Sequence, residues 1–434
     1  MRVTDAFDAL TGEMTDACIA CGACFEACPI TPDAGLEGAD GEAVTAGILR
    51  IIAEGRAADA AHRWANACVL SGDCIAACDH GVNPRLLLSM ARMAEKCAAE
   101  PEPARRRAGV GAFSRLSKDV RVMSRMQLGE ADLARLAPAH RPADAPAPAV
   151  IFYTGCNVWK TPHIALLCLD ILDLLGIDHA VMGGTAHCCG ILQTRAADIE
   201  AAGRMGFSTL EKFAATGASE VLAWCPSCFV QFSETTIPTY ERTGGQAPVD
   251  MTPFMLFLEA RLDALRPHLV HRVPMRVALH GHRGVAGVPE AARRLLAATP
   301  GVEVVDLGLD DVGLMSNSFK ALPDYRRRHQ AGELAAAAAA GVDALVAVYH
   351  ADHRELSAHE RDWPFRVLNV LDVVGAGLGL AREDDYKRLK ITQDVDAILE
   401  DCGARLAAWG IDAETARPIL EDAFLGDQPL ALRD

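Results

Sequence analysis

The chain has 434 residues, half of them apolar, few aromatics, and a net charge of −16 at pH 7. That length allows two or three domains with proper cores, and the acidic balance, with no basic stripe carrying interleaved aromatics, argues against a nucleic-acid surface. No run of about 18 apolar residues predicts a membrane span, and the N-terminus lacks the apolar stretch of a secretory signal. The expected location is the cytoplasm, or the periphery of an inner membrane reached through partners. In a reducing compartment, fifteen cysteines read as metal ligands rather than disulfides.

Residues 1–100 hold two cysteine groups separated by short helical stretches. Helices are expected at 43–54 and at 84–99, where Pro84 suits a helix start. Residues 101–147 have Pro- and Ala-rich ends and read as a linker or surface wrap, with room for a helix between them. From Ala149 the texture changes to strands alternating with helices, which argues for a parallel α/β layer. The first such unit covers 148–265 and the second 274–375, so the chain carries a pseudo-repeat. The tail, 376–434, reads as a helical cap on the second lobe. The predicted fold class is therefore α+β and multidomain: a helical dicluster module followed by two α/β lobes.

Twelve of the cysteines fall into three groups. The first is Cys18-x2-Cys21-x2-Cys24-x3-Cys28-Pro29, the spacing of a bacterial ferredoxin run, in which the fourth cysteine ligates the other cluster. The second is Cys68-x5-Cys74-x3-Cys78, with Ser71 where a further cysteine belongs. The crossed rule assigns Cys18, Cys21, Cys24 and Cys78 to a [4Fe-4S] cluster, and Cys28, Cys68 and Cys74 to the second. Three thiolates suit a [3Fe-4S] cluster. A [4Fe-4S] cluster completed by Ser71, Asp73 or water is the alternative, and zinc or inert thiols the bland one. The second run is similar to the three-iron run of succinate dehydrogenase and fumarate reductase iron–sulfur subunits, except that Asp79 stands where they carry proline.

The third group is Cys156, then Cys188-Cys189-Gly190, then Cys225-Pro-Ser-Cys228. It resembles the cysteine-rich CCG domain of heterodisulfide reductase and its relatives. The resemblance implies that Cys156, Cys188, Cys189, Cys225 and Cys228 hold a noncubane [4Fe-4S] cluster. The residues alone leave open an ordinary cubane or a zinc ion on four of the five. A dicluster module followed by two such lobes is also similar to the iron–sulfur subunits of glycolate, glycerol-3-phosphate and lactate oxidation systems.

In the second lobe, His280, His282, Asp311, His350 and His353 stand where cysteines would. From the spacing, His350-x2-His353 takes the place of Cys225-x2-Cys228, and Asp311-Val312-Gly313 that of Cys188-Cys189-Gly190. Imidazoles and a carboxylate suit zinc or non-haem iron. The bland reading is a lobe that has lost its site and is kept for packing, and a third reading is contact with a small molecule. Cys97, Cys168 and Cys402 lie outside the patterns and read as small buried hydrophobes. His62, Trp64 and Trp224 flank cysteines and are expected to shield clusters from water. Arg326-Arg327-Arg328 reads as a solvated face. Gly375, Gly377 and Gly379 do not complete a nucleotide fingerprint.

A redox relay remains. The leading expectation is an electron-transfer subunit, with no catalytic residue of its own, in a hetero-oligomeric oxidoreductase. A flavoprotein dehydrogenase subunit would exchange electrons with it, and a quinone, an electron-transfer flavoprotein or another carrier would lie at the other end. The alternative is a disulfide reductase of the heterodisulfide type with a catalytic noncubane cluster. A non-redox scaffold or sensor is a third reading, for which no DNA-binding element speaks.

Overall fold

A computed structural model describes residues 1–138, 145–426 and 430–432. The first 100 residues form helices Val3–Ala17, Gly41–Glu54, Asp59–Ala67 and Pro84–Ala99, with single helical turns at Ala23–Glu26 and Asp73–Ala76. Local signals set the ends. The Asp40 carboxylate accepts from the Glu42 and Ala43 amides, and Gly55 closes the same helix in the left-handed region. Asn83 caps the helix that Pro84 opens. The apolar faces of these helices, Val44, Ile48, Ile51, Leu87 and Met90 among them, bury Phe25 and Trp64, whose rings meet edge to face at 5.2 Å.

The segment expected as a linker carries a 24-residue helix, Glu102–Arg125, and a shorter one, Glu130–Leu136; part of its Pro-rich end, 139–144, lies outside the described residues. The C-terminal half of the long helix does not wrap loosely. Val122, Met123 and Met126 form a separate core with Leu389, Ile398, Leu406 and Leu420 of the C-terminal helices. Arg405 ties that contact by donating to the Met126 and Gln127 carbonyls at 2.7 and 3.1 Å. The tail also reaches the second lobe, through Lys387 on Glu360 and the Val367 carbonyl.

Each lobe contains a four-stranded, fully parallel sheet. In the first, β1 (Val150–Tyr153), β2 (His179–Met182), β3 (Glu220–Ala223) and β4 (Asp250–Pro253) run in the order β2-β1-β3-β4. In the second, β5 (Met275–His280), β6 (Val302–Val305), β7 (Ala344–Ala347) and β8 (Arg366–Asn369) run in the equivalent order β6-β5-β7-β8. The architecture is α+β and multidomain. The fourth strand of each sheet is an addition to the three expected from the sequence. Helices Pro162–Leu174 and Val370–Leu378 join the lobes through one continuous core. A Cβ on Gly375 would lie 3.2 Å from Leu167 Cδ2, so this glycine serves close helix packing.

The strand registers correct the alignment of the repeat. Tyr153 pairs with Ala223 and His280 with Ala347. The helix after β3 is capped by Cys225, and the helix after β7 by Tyr349. Tyr349 therefore stands at the place of Cys225, and Asp352 at the place of Cys228. The expected equivalence of His350 and His353 with those cysteines is off by one residue.

Candidate functional site

The two cysteine loops of the N-terminal module have the same backbone. Ala20 and Leu70 have φ of 56° and 65°, and Gly22 and Gly72 follow at 80° and 87°. Only a tight loop with left-handed residues at both places turns successive cysteines inward. In that frame Ser71 matches Cys21, and Ser71 is buried. Cys18, Cys21, Cys24 and Cys78 line one cavity, with Thr45, His80 and Leu87. Cys28, Cys68, Ser71 and Cys74 line a second, with Trp64, Leu88 and Arg85. The fourth cysteine of each run thus reaches the other cavity. Burial pushes the Cys28 thiol up to about 11, and the Cys74 thiol well above its ordinary value, where Cys68 and Cys28 add to the effect. The buried Trp64 indole N–H lies against Cys28 with no oxygen or nitrogen acceptor. Such a donor fits sulfur that carries negative charge.

The third group lies at the carboxyl ends of parallel strands, where α/β sheets place their ligands. Cys156 follows β1, Cys188 and Cys189 follow β2, and Cys225 and Cys228 follow β3. Gly190, at φ 84°, has no room for a Cβ: one would sit 2.5 Å from the Ala202 carbonyl oxygen. Gly155, at φ 65°, is less tightly held, with Cys228 Sγ 3.2 Å from its would-be Cβ. The Tyr153 hydroxyl bonds the His187 carbonyl at 2.7 Å and lies 3.9 Å from Cys228 Sγ. Burial pushes Cys156 up to about 12. Cys189 and Cys225 are held below the ordinary thiol value, chiefly because Cys188 and Cys228 bond to them. Five thiols this close together, four of them buried, fit a soft, electron-poor metal centre that replaces their protons.

A cleft of about 560 Å³ lies between the module and the lobes. Cys68 opens onto it from the module side. Ile191, Thr194 and Ser227, neighbours of Cys189 and Cys228, line it from the first lobe, and Leu314 and Asn317 from the second. Gln231, Glu234 and Thr235 come from a π-helical turn, Gln231–Thr236, a device common at functional sites. Arg92, Lys96 and solvent-exposed Arg195 bring positive charge. Arg85, buried at 6% exposure, locks the three parts together. It donates to the Leu70 and Gly284 carbonyls at 3.0 and 2.6 Å and pairs with Glu234.

The five second-lobe residues named as candidate ligands of one metal do not converge. His280 and His282 do meet, with Asp352 as their third neighbour. Asp311 pairs instead with Arg293 at 2.8 Å. His350 lies beside Cys225 of the first lobe, and His353 bonds Asp384 at 2.6 Å, next to His163. The physical reason is the one-residue register shift, which turns Asp352 inward and sends its two flanking histidines to other neighbours. Sequence reasoning missed Asp352, Glu333, His163, Asp384 and Arg85. The acid inside His-Ala-Asp-His was the one local signal; the others are brought in by long-range packing. Among the remaining expectations, Trp224 is buried, whereas His62 is exposed and bonded to Glu95. Cys168 and Cys402 are buried, but Cys97 is exposed. Arg326 is buried against Glu355 and not part of a solvated face.

Comparison with known proteins agrees with this layout. A 4Fe-4S dicluster domain matches residues 14–82, and a cysteine-rich domain matches residues 150–233. The chain is 25% identical over 165 residues to one of the subunits of the dihydromethanophenazine:CoB–CoM heterodisulfide reductase of Methanosarcina barkeri. The match covers 36% of this chain and 40% of that protein's length. No solved structure matches the chain at a comparable level. The two domain matches and this similarity fit a heterodisulfide reductase-like, CCG-domain layout and support an iron–sulfur protein; the chain spans less than half the length of that relative. No helix among the described residues is long and apolar enough to cross a membrane.

Proposed function

We propose that this chain is an electron-transfer subunit that relays electrons between a flavoprotein dehydrogenase subunit and a quinone, an electron-transfer flavoprotein or another carrier. Cys18, Cys21, Cys24 and Cys78 would hold a [4Fe-4S] cluster, and Cys28, Cys68 and Cys74 a [3Fe-4S] cluster beside Ser71. Cys156, Cys188, Cys189, Cys225 and Cys228 would hold a noncubane [4Fe-4S] cluster. Bound there, the clusters supply one-electron carriers. The protein orients the thiols, keeps water out with Trp64 and Leu88, and sets the local field with buried donors.

One observation supports the reading: shared and neighbouring lining residues connect the three cysteine sites. Cys28 belongs to the first run yet lines the second cavity, and Cys68 lines both that cavity and the cleft that the loops of Cys189 and Cys228 face. Sites connected in this way suit transfer through the chain. The test is iron analysis with EPR of anaerobically purified protein before and after dithionite. The expected result is about eleven irons per chain, from two four-iron clusters and one three-iron cluster, with a three-iron signal in the oxidised state. About four irons or fewer, with zinc and no cluster signal, would overturn it.

The cleft favours a second reading. It has the volume of a small-molecule site and carries Arg92, Lys96 and Arg195, so an anionic disulfide could reach the third site from there. The name of the Methanosarcina barkeri relative points the same way. Disulfide turnover by the reduced, isolated chain would establish this reading over a pure relay. No turnover in protein with full iron content would exclude it.

A further inference from the structure

We propose that His280, His282 and Asp352 bind one divalent ion of borderline softness, zinc or iron(II), inside the second lobe. The inference is independent of the relay, since none of the cysteines takes part. All three side chains are buried, with His282 and Asp352 at 0% exposure. The imidazole tautomers follow from their partners. His282 Nδ1 lies 2.6 Å from the Val312 carbonyl, which can only accept, so that nitrogen carries the proton. His280 Nδ1 lies 2.6 Å from Glu333 Oε2 and donates to it.

In their neutral forms both imidazoles then present lone pairs at their Nε2 atoms. They face each other at 3.1 Å, and His282 Nε2 is 3.4 Å from Asp352 Oδ1. The nearby Ser316 hydroxyl, 3.1 Å from His280 Nε2, can donate to that nitrogen but leaves His282 facing a carboxylate. Asp352 Oδ1 also accepts from the Ser316 amide at 2.8 Å, while Oδ2 is buried with no hydrogen-bond partner. Two lone pairs and a carboxylate aimed at one buried point call for a positive charge between them, which a proton on His280 or a metal ion would supply; the unpartnered Asp352 Oδ2 favours the ion.

The spacing suits a metal ion. Two ligands each about 2.0–2.1 Å from a tetrahedral ion lie about 3.3 Å apart, close to the two separations found. The rings stand at 87° to each other, so they approach from different directions. The outer contacts also match. A histidine ligand usually donates its other N–H to a carboxylate or a backbone carbonyl, and here Glu333 takes one and Val312 the other. Two imidazoles and a carboxylate suit zinc or iron(II) over harder cations. Asp352 occupies the position of Cys228 in the first lobe, so the repeat would retain a metal position with harder ligands.

The experiment uses the full chain with its clusters intact. Native metal content by mass spectrometry distinguishes zinc from iron in excess of the clusters. After mild chelation, Zn2+ and Co2+ are titrated in, with cluster absorption recorded throughout. The expected result is one equivalent bound, with affinity weakened ~10–100-fold in Glu333→Gln and lost in Asp352→Asn and His282→Ala, the cluster spectrum being unchanged in each. A wild-type protein with one equivalent of neither zinc nor excess iron, and no uptake of either probe, would overturn the proposal. So would uptake that the variants leave unaltered, because cysteines would then be the ligands. The wild-type measurements stand even if a variant fails to fold.

Discussion

Substituting Ser71 with cysteine tests the second cluster most directly. The two module loops share left-handed residues at Ala20 and Leu70 and at Gly22 and Gly72, so the residue between them projects alike in both. In one loop that residue is Cys21, in the other Ser71, which is buried and lines the same cavity as Cys28, Cys68 and Cys74. Ser71→Cys changes one oxygen to sulfur without altering the backbone and supplies a fourth thiolate. The cluster should gain its missing corner, so total iron rises from about eleven to about twelve per chain. That is roughly a tenth of the total, so iron analysis must be joined to EPR of the oxidised protein, where the three-iron signal should vanish. Ser71→Ala serves as the control and should leave both readouts unchanged. Unaltered iron and an intact three-iron signal in Ser71→Cys would refute the loop correspondence. A wild-type protein with about twelve irons that loses one in Ser71→Ala would show that the serine itself holds the fourth iron.

Three further outcomes follow from the geometry. Gly190→Ala forces a Cβ to within 2.5 Å of the Ala202 carbonyl oxygen at a φ of 84°; the Cys188–Cys189 turn should open and about four irons be lost, with the three-iron EPR signal retained. Arg85→Met leaves Glu234 unpaired in a buried contact and should cost about 3–5 kcal/mol in denaturant unfolding, with much of it recovered when Glu234→Leu is added; a loss below about 1 kcal/mol would mean that the contact is no buried ion pair. Burial raises the Asp170 carboxyl, but bonds from Arg382 and Arg135 outweigh it and hold it below the ordinary value. Its folded pKa is depressed, so its stabilisation is present above pH of about 4 and is lost as pH falls through the folded value. Unfolding midpoints at pH 6 and pH 3 should differ less in Asp170→Asn than in wild type, and equal differences would refute the assignment.

The sequence revealed what short range controls. A cluster-binding loop must carry its ligands within a few residues, so the cysteine groups stand out without a fold, and Ser71 is conspicuous by its position. The alternation of strands and helices exposed both lobes, and β1, β2 and β3 were legible with their counterparts. β4 and β8 were not: Asp-Met-Thr-Pro and Arg-Val-Leu-Asn carry Asp, Pro, Arg and Asn at their ends and lack the apolar run that marks the other strands. The register of the repeat was also illegible. Spacings of 34 and 36 residues from glycine to the third motif allow either alignment, and only the pairing of His280 with Ala347 and the cap at Tyr349 decide. Arg85 shows the remaining limit. Its partner Glu234 is 149 residues away, and the reason for burying this arginine exists only once the module has docked.

The register shift also changes what the second lobe can be. With His350 and His353 as ligands, the lobe would have one poor site made of scattered histidines. With Asp352 inward, the same residues divide into three tasks. His280, His282 and Asp352 face a common point; His350 is handed across to Cys225 of the first lobe; His353 ties the C-terminal segment through Asp384. Helix Pro162–Leu174 carries His163 into that last contact, so first lobe, second lobe and tail meet around Asp384. A lobe retained only as filler would have no need of a fully buried carboxylate at Asp352, since desolvating one costs several kcal/mol unless charge or hydrogen bonds offset it. The repeat is therefore best understood as one sheet design used twice, with five thiols grouped at the strand ends of the first lobe and two imidazoles and a carboxylate at those of the second.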